Sequence, residues 1–297
     1  MAQTPDLLCI GSVLWDVIGR SASHMRFGAD VPGRITRLPG GVALNIAMTF
    51  ARFGERPALL SAVGRDREGD ELLEACAQLG CETALVYRSD DLPTDRYMAV
   101  EGANGLIAAI ADAHSLERAG ARILAPLRDG TLGSSIAPFA GTVALDGNLT
   151  AALLDEISRD PALACADLRI APASPGKAER LLPFLRTTRG VLYVNLEEAG
   201  LLCQAEFGSA PEAAARLVER GAARAIVTNG AECACDATAD GVIAERPPEV
   251  LVTRVTGAGD TFMAAHIVAE MHGAGRAEAL GLALSAAATY VSGDIPS

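Results

Sequence analysis

The stretch VTGAGDTF, Val255 to Phe262, sets Gly257, Ala258 and Gly259 directly ahead of the carboxylate of Asp260. Behind it, TFMAAHIVAEMHG carries Phe262, Ala265, Ile267, Val268 and Met271 at roughly helical spacing up to Gly273. Ahead of it, VLVTRV is β-branched and strand-like, so the glycines are expected on a strand-to-helix turn. The first N–H groups of a helix have no partner within it and carry the positive end of the dipole, and glycine lets a ligand approach that backbone closely. An anion is the natural guest.

Three phosphate chemistries compete for such a turn. A Walker-type loop needs Gly-Lys followed by Ser or Thr, whereas Gly176-Lys177 is followed by Ala178. A dinucleotide fingerprint needs a third glycine where Phe262 stands and usually opens its domain. The remaining chemistry makes Asp260 a base at the mouth of an anion-binding helix, beside a phosphoryl group in transfer. An acid in a helix's first turn also simply stabilises the dipole, and the residue types by themselves leave the two readings level.

The elements that must position these residues alternate along the chain. Short apolar runs (LLCIGSV, PALLSAV, TVALD, LRIAP, VLYVN, ARAIVTNG) are interleaved with amphipathic stretches, the pattern of a parallel sheet covered by helices. GVALNIAMTFARFG reads as a helix with Val42, Ile46, Phe50 and Phe53 on one face and Gly54 as its stop; REGDELLEACAQLG is a second. Further helices are expected at 151–158, 176–186, 197–204, 211–220 and 277–291. Two stretches break the rhythm: VPGRITRLPGG is a short polar strand, and RYMAVEGANGLIAAIAD is a hairpin around Asn104-Gly105. Together, as segments 17–39 and 94–112, they are expected to form a small β lid that closes over a ligand or pairs with another subunit.

At 297 residues the chain suits one main domain with an appendage, and its 50% hydrophobic content supports a large core. A net charge of -12 without a basic run argues against nucleic acid or an anionic membrane surface as partner. No apolar run is long enough to span a bilayer and the first residues lack a basic leader, so a cytosolic protein is expected. Seven cysteines without a CxxC pair read as reduced thiols; His24, His114, His266 and His272 show no ligand spacing.

The whole chain, from about Leu7 to Tyr290, resembles the PfkB (ribokinase-like) family of ATP-dependent sugar and nucleoside kinases. The motifs that carry the resemblance are the glycine pair in LPGGVALNIAMTFARFG, the TGAGDTF turn, the Asn-x-x-Glu element NLEE (Asn195 to Glu198), and IGSVLWD with Asp16 after the first strand. Within the family, PGRITRLPGGVALNIA, AAIADAH, LDGN (Leu145 to Asn148) and Val255 before Thr256 look most like the pseudouridine-phosphorylating branch.

The resemblance implies a doubly wound α/β sandwich with a mainly parallel central sheet and a small β-sheet lid. It implies ATP and Mg²⁺ as cofactors and a ribosyl 5'-hydroxyl as acceptor. Asp260 becomes the catalytic base and Gly257, Ala258 and Gly259 the donors to the transferring phosphoryl group. Asp16, Gly40, Gly41 and Asn45 would hold the sugar; Asn195, Glu198, Thr228 and Gly230 the nucleotide, with Glu198 reaching Mg²⁺ through water. Cys233 stands where relatives often have glycine. Arg254 stands where relatives commonly have an aspartate that helps bind a monovalent cation; its guanidinium would repel that ion and supply the charge, or else point to solvent from a strand edge. A homodimer through the lid is the expected assembly.

Overall fold

A computed structural model describes residues 5–293. Its strands are β1 (Leu7–Ile10), β2 (Leu14–Arg20), β3 (Arg34–Gly40), β4 (Pro57–Leu60), β5 (Ala62–Gly64), β6 (Tyr87–Ser89), β7 (Arg96–Gly102), β8 (Gly105–Asp112), β9 (Thr142–Asp146), β10 (Asp167–Ala171), β11 (Val191–Asn195), β12 (Arg224–Thr228), β13 (Ala234–Thr238) and β14 (Gly241–Glu245). The helices are α1 (Val42–Arg52), α2 (Arg67–Gln78), α3 (His114–Ala119), α4 (Ala151–Arg159), α5 (Leu182–Thr187), α6 (Leu196–Cys203), α7 (Ala210–Glu219), α8 (Ala258–Met271) and α9 (Arg276–Ser292).

Eight strands form the main sheet in the order β14-β13-β12-β11-β10-β9-β1-β4, parallel from β12 to β4. The continuous apolar runs make this possible, because a strand buried on both faces has no polar side to offer: all four residues of β1 and of β4 are buried. Two hydrophobic cores flank the sheet. One joins it to α1, α8 and α9 through residues such as Ile46, Phe50, Phe262 and Ile267; the other joins it to the helices after β9, β10 and β11 through Leu154, Phe184 and Leu217. Every residue of α8 from Thr261 to Ala269 is buried, as expected of a helix apolar on all sides and wedged between α1 and α9. The helix that carries Asp260 is therefore among the best-anchored elements of the molecule.

A smaller sheet of four strands, β3-β2-β7-β8, lies beside the main one. Sequence reasoning counted three strands here, because β2 follows β1 after only Gly11, Ser12 and Val13 and reads as its continuation. The doubly wound α/β architecture with an added small β-sheet stands as expected. The run PALLSAV splits at Ser61 into β4 and β5, and β5 pairs with β6 instead of extending the main sheet. The antiparallel hairpin β13–β14 was not foreseen: ACDAT is small and polar although Ala234 to Ala237 are buried, and GVIAE lies exposed at the sheet's edge. Phe53, assigned to the buried face of α1, falls past its end and is 44% exposed.

The segment VLVTRV is not a strand. Residues 246–255 are irregular, and the glycine turn is entered from a loop that leans on α9 through Thr253 N–H to Val291 O at 2.8 Å.

Candidate active site

The candidate residues gather over the C-terminal ends of the parallel strands, the usual ligand end of such sheets. Asp260 lies in the first turn of α8, whose N-cap is Gly257 in the left-handed region at φ 89°. A β-carbon at Gly257 would lie 2.6 Å from the Tyr290 hydroxyl, which donates to Thr256 O at 2.9 Å, so conformation and space both demand glycine. At Gly259 a β-carbon would meet nothing within 4 Å: the open face there is room for a guest.

The half-buried Asp260 accepts a hydrogen bond from Asn45 Nδ2 at 2.8 Å. Burial pushes its carboxyl up to about 7, the Asn45 bond opposes that, and the nearby carboxylates of Asp146 and Glu198 reinforce it. A base that titrates near neutrality accepts a proton and releases it again with little penalty either way.

Asn45 is held by α1, and α1 begins at Gly41 with φ 102°, where a β-carbon would lie 2.4 Å from Ser12 O. Gly40 faces Asp16: a β-carbon at Gly40 would lie 2.1 Å from Asp16 Oδ2. The glycine pair thus serves two purposes, seating the Asp16 carboxylate and turning the chain into the helix. Asp16 itself sits within β2, on the small-sheet face shared with Leu38 and Tyr97, and burial lifts its carboxyl to about 6. The structure brings Asp16, Gly40, Gly41, Asn45 and Asp260 into one continuous contact series.

Asn195 and Glu198 form a capping box at the start of α6: Asn195 Oδ1 accepts from Glu198 N–H at 2.9 Å and Glu198 Oε2 accepts from Asn195 N–H at 2.8 Å. Glu198 is only 7% exposed, so this is no solvated helix start. Thr228 pairs with Asn195 in register at the ends of β12 and β11, and Gly230 follows at φ 56° with open space around it. Among the described residues no three acidic, histidine or cysteine side chains gather to cage a metal. The donor set still fits Mg²⁺ brought in with a nucleotide, which keeps its waters and needs one carboxylate: Glu198 has an oxygen left over from its cap.

Sequence reasoning missed a second layer. Asp146, fully buried at the end of β9, accepts through Oδ2 from Ser12 N–H (2.8 Å), Ser12 Oγ (2.5 Å) and Ala43 N–H (3.3 Å), and through Oδ1 from Asn148 N–H (2.6 Å). Ser12 Oγ in turn accepts from Val42 N–H at 2.9 Å. Side chains from β9 and the β1–β2 turn thereby cap α1, whose own N-cap glycine has none to offer. The available signal was a lone aspartate ending an apolar strand in LDGN.

α8 is fixed from behind as well. Glu270 pairs with Arg169 and, at 2.7 Å, with Arg224; Asp236 holds Arg224 at 2.6 Å and Arg276 at 3.0 Å. His266 stacks on Phe262 and meets the Tyr193 hydroxyl at 2.9 Å, and burial drives its imidazole down to about 4, so it is neutral at pH 7. Arg254 does not point to solvent from a strand edge. Its Nε donates to Tyr290 O at 2.8 Å, its guanidinium lies 3.8 Å over the Tyr290 ring, and its Nη2 is buried with no partner among the described residues. A cation therefore sits at the C-terminal, negative end of α9, beside the loop that feeds the glycine turn.

The thiols are free: Cys9, Cys76, Cys81, Cys203 and Cys235 are buried, Cys165 is exposed and Cys233 is half-buried just outside β13. No described helix is long and apolar enough to cross a membrane.

An acid over a glycine turn, a seated carboxyl and a capping-box acid thus lie together on a doubly wound fold. Residues 4–294 match the pfkB family of carbohydrate kinases, and the chain belongs to that family. A carbohydrate kinase from Agrobacterium tumefaciens superposes with a TM-score of 0.81 at 26% identity, covering 98% of this chain and 94% of that one. Among curated relatives, an uncharacterized Escherichia coli sugar kinase, YeiI, is 32% identical over 147 residues, 49% of this chain and 39% of that protein. Escherichia coli pseudouridine kinase is 40% identical over 80 residues, 27% and 26% of the two chains. The matches to these two curated relatives thus span well under half of their lengths.

Proposed function

We propose that the protein transfers the γ-phosphoryl group of Mg-ATP to the 5'-hydroxyl of a ribosyl nucleoside, pseudouridine being the acceptor best supported, to give the 5'-phosphate and ADP. The single observation that carries the phosphotransfer is the Asn45–Asp260 contact at the mouth of the glycine turn, with the Asp260 carboxyl poised near pH 7. Asp260 takes the proton of the attacking hydroxyl. The first N–H groups of α8, from Gly257, Ala258 and Gly259, face the charge that builds on the phosphoryl oxygens, and positioning with electrostatics does most of the work.

Asp16 accepts hydrogen bonds from ribose hydroxyls, with Asn45 and the backbone at Gly40 and Gly41 completing the sugar site. Asn195, Glu198, Thr228 and Gly230 line the nucleotide, and bound Mg²⁺ would neutralise phosphate charge through Glu198 and water. The likeness to pseudouridine kinase and the motifs PGRITRLPGG and LDGN favour a nucleoside acceptor. A second reading, another sugar kinase of the family, is favoured by the similarity of mouse ribokinase, 25% identical over 274 residues and covering 87% of this chain and 80% of that protein.

ADP release over a panel of pseudouridine, uridine, adenosine, ribose and hexoses tests the choice. Turnover on pseudouridine supports the proposal, turnover only on a free sugar moves the assignment to the second reading, and binding without turnover points to a sugar sensor. The small sheet, segments 17–39 and 94–112, is proposed to act as a lid and as a homodimer surface in a cytoplasmic enzyme; a monomer in light scattering excludes the dimer.

A further inference from the structure

The backbone that enters the glycine turn is irregular, and its side chains do not pack it down: Val255 is 71% exposed and Thr256 is exposed as well. The last turn of α9 fixes it instead. Val291 O accepts from Thr253 N–H at 2.8 Å and from Arg254 N–H at 3.3 Å, Tyr290 O accepts from Arg254 Nε at 2.8 Å, and the Arg254 guanidinium lies over the Tyr290 ring. These anchors secure the chain as far as residue 254. Farther on, the Tyr290 hydroxyl reaches the turn itself and donates to Thr256 O at 2.9 Å.

That bond sets which way one peptide faces. The Thr256–Gly257 peptide is trans and planar, so its carbonyl and its N–H point to opposite sides. With Thr256 O drawn to the Tyr290 hydroxyl, the Gly257 N–H is aimed away from it. Gly257 stands at φ 89°, and glycine takes either sign of φ about as readily, so its own conformational preference does not stop the peptide from turning over. A half-turn would put a carbonyl oxygen where the N–H had been. The incoming phosphoryl group would then meet an acceptor in place of a donor, a repulsive contact in place of a stabilising one.

We propose that Tyr290 is a positioning residue for phosphoryl transfer: its hydroxyl latches the Thr256–Gly257 peptide in the orientation that offers the Gly257 N–H to the phosphoryl oxygens. Tyr290 acts through the turn and touches neither substrate. Arg254, stacked on the ring and bonded to the Tyr290 carbonyl, keeps the phenol in place. The inference rests on the kinase reading of the site.

The test compares wild type with Tyr290→Phe, which keeps the ring beneath Arg254 and removes only the hydroxyl. Thr253→Val is the control for general loosening, because it removes the bond from Thr253 Oγ1 to Val291 O at 3.1 Å and leaves the latch alone. The Thr-Gly dipeptide occurs once in the chain, at 256–257, so protein labelled at threonine carbonyl carbons and glycine nitrogens gives a single NMR correlation from this peptide. Tyr290→Phe should shift or broaden that peak. With the acceptor that wild type turns over fastest among the nucleosides and sugars named above, its kcat should fall about fivefold to tenfold, the scale of one neutral hydrogen bond, while both KM values stay within about twofold. Thr253→Val should keep the wild-type peak and kcat.

A Tyr290→Phe enzyme with wild-type kcat, a peak that stays put while kcat falls, a loss expressed mainly in KM, or an equal loss in Thr253→Val would each overturn the latch and leave the kinase reading standing. A wild-type protein that turns over none of those acceptors overturns the kinase reading and this inference with it.

Discussion

Asn45 Nδ2 donates to Asp260 Oδ2 across 2.8 Å, joining side chains 215 positions apart in the chain. One helix start, α1, delivers the amide and another, α8, delivers the acid, so the contact reports whether both halves of the site are in register. A hydrogen bond to the ionised carboxylate favours the charged form and opposes the desolvation that raises the Asp260 pKa to about 7.

Removing that bond should therefore move the acid limb of the pH–rate profile upward. For Asn45→Ala, kcat/KM should fall more at pH 6 than at pH 8.5, with the apparent pKa of the base above that of wild type. A profile parallel to wild type at all pH values would show that Asn45 does not bias Asp260.

Gly40 tests the seat of the sugar carboxylate. An added methyl would stand 2.1 Å from Asp16 Oδ2 and 2.4 Å from its Cγ, so Gly40→Ala must displace the carboxylate. The acceptor KM should rise by about tenfold or more, of the order of one lost hydrogen bond to a charged group, while the Mg-ATP KM stays near wild type. Equal effects on both substrates would mean that the substitution disrupts α1 in general.

The charge of Arg254 at the C-terminal end of α9 leaves little room for a free cation beside the loop that leads into the glycine turn. Wild-type turnover should be the same in potassium and sodium salts at equal ionic strength. A large potassium stimulation would contradict this placement.

A raised carboxylate pKa is also a statement about stability. The folded state holds the Asp260 proton more tightly than the unfolded chain does, so burial of this group is harmless at low pH and increasingly destabilising as pH climbs from about 4 to about 7. Asp260→Asn, neutral at every pH, should leave Tm close to wild type at pH 4.5 and raise it at pH 8. No pH dependence in the difference would mean that Asp260 ionises normally.

Much of this was legible in the sequence, and for physical reasons. The parallel strands announced themselves through uninterrupted apolar runs, and the glycines at 40, 41 and 257 through positions where only a missing β-carbon leaves space for Asp16, Ser12 and Tyr290. What stayed hidden depends on distance in space. Asp146 caps a helix that begins over a hundred residues earlier, Lys177 reads as a surface residue until the turn holding Asn148 is beneath it, and the loop before Val255 has strand composition but lies against α9. The antiparallel pair β13–β14 escaped because the residues of buried β13 are small and polar and those of β14 lie exposed at the sheet's edge.

Single-turnover transfer from Mg-ATP to pseudouridine by wild type and Asp260→Asn bears most directly on the role of the acid at the glycine turn. Loss of the base should slow the chemical step by roughly a hundredfold or more at pH 8 while both substrates bind with wild-type affinity. A variant that transfers phosphate at the wild-type rate would contradict it.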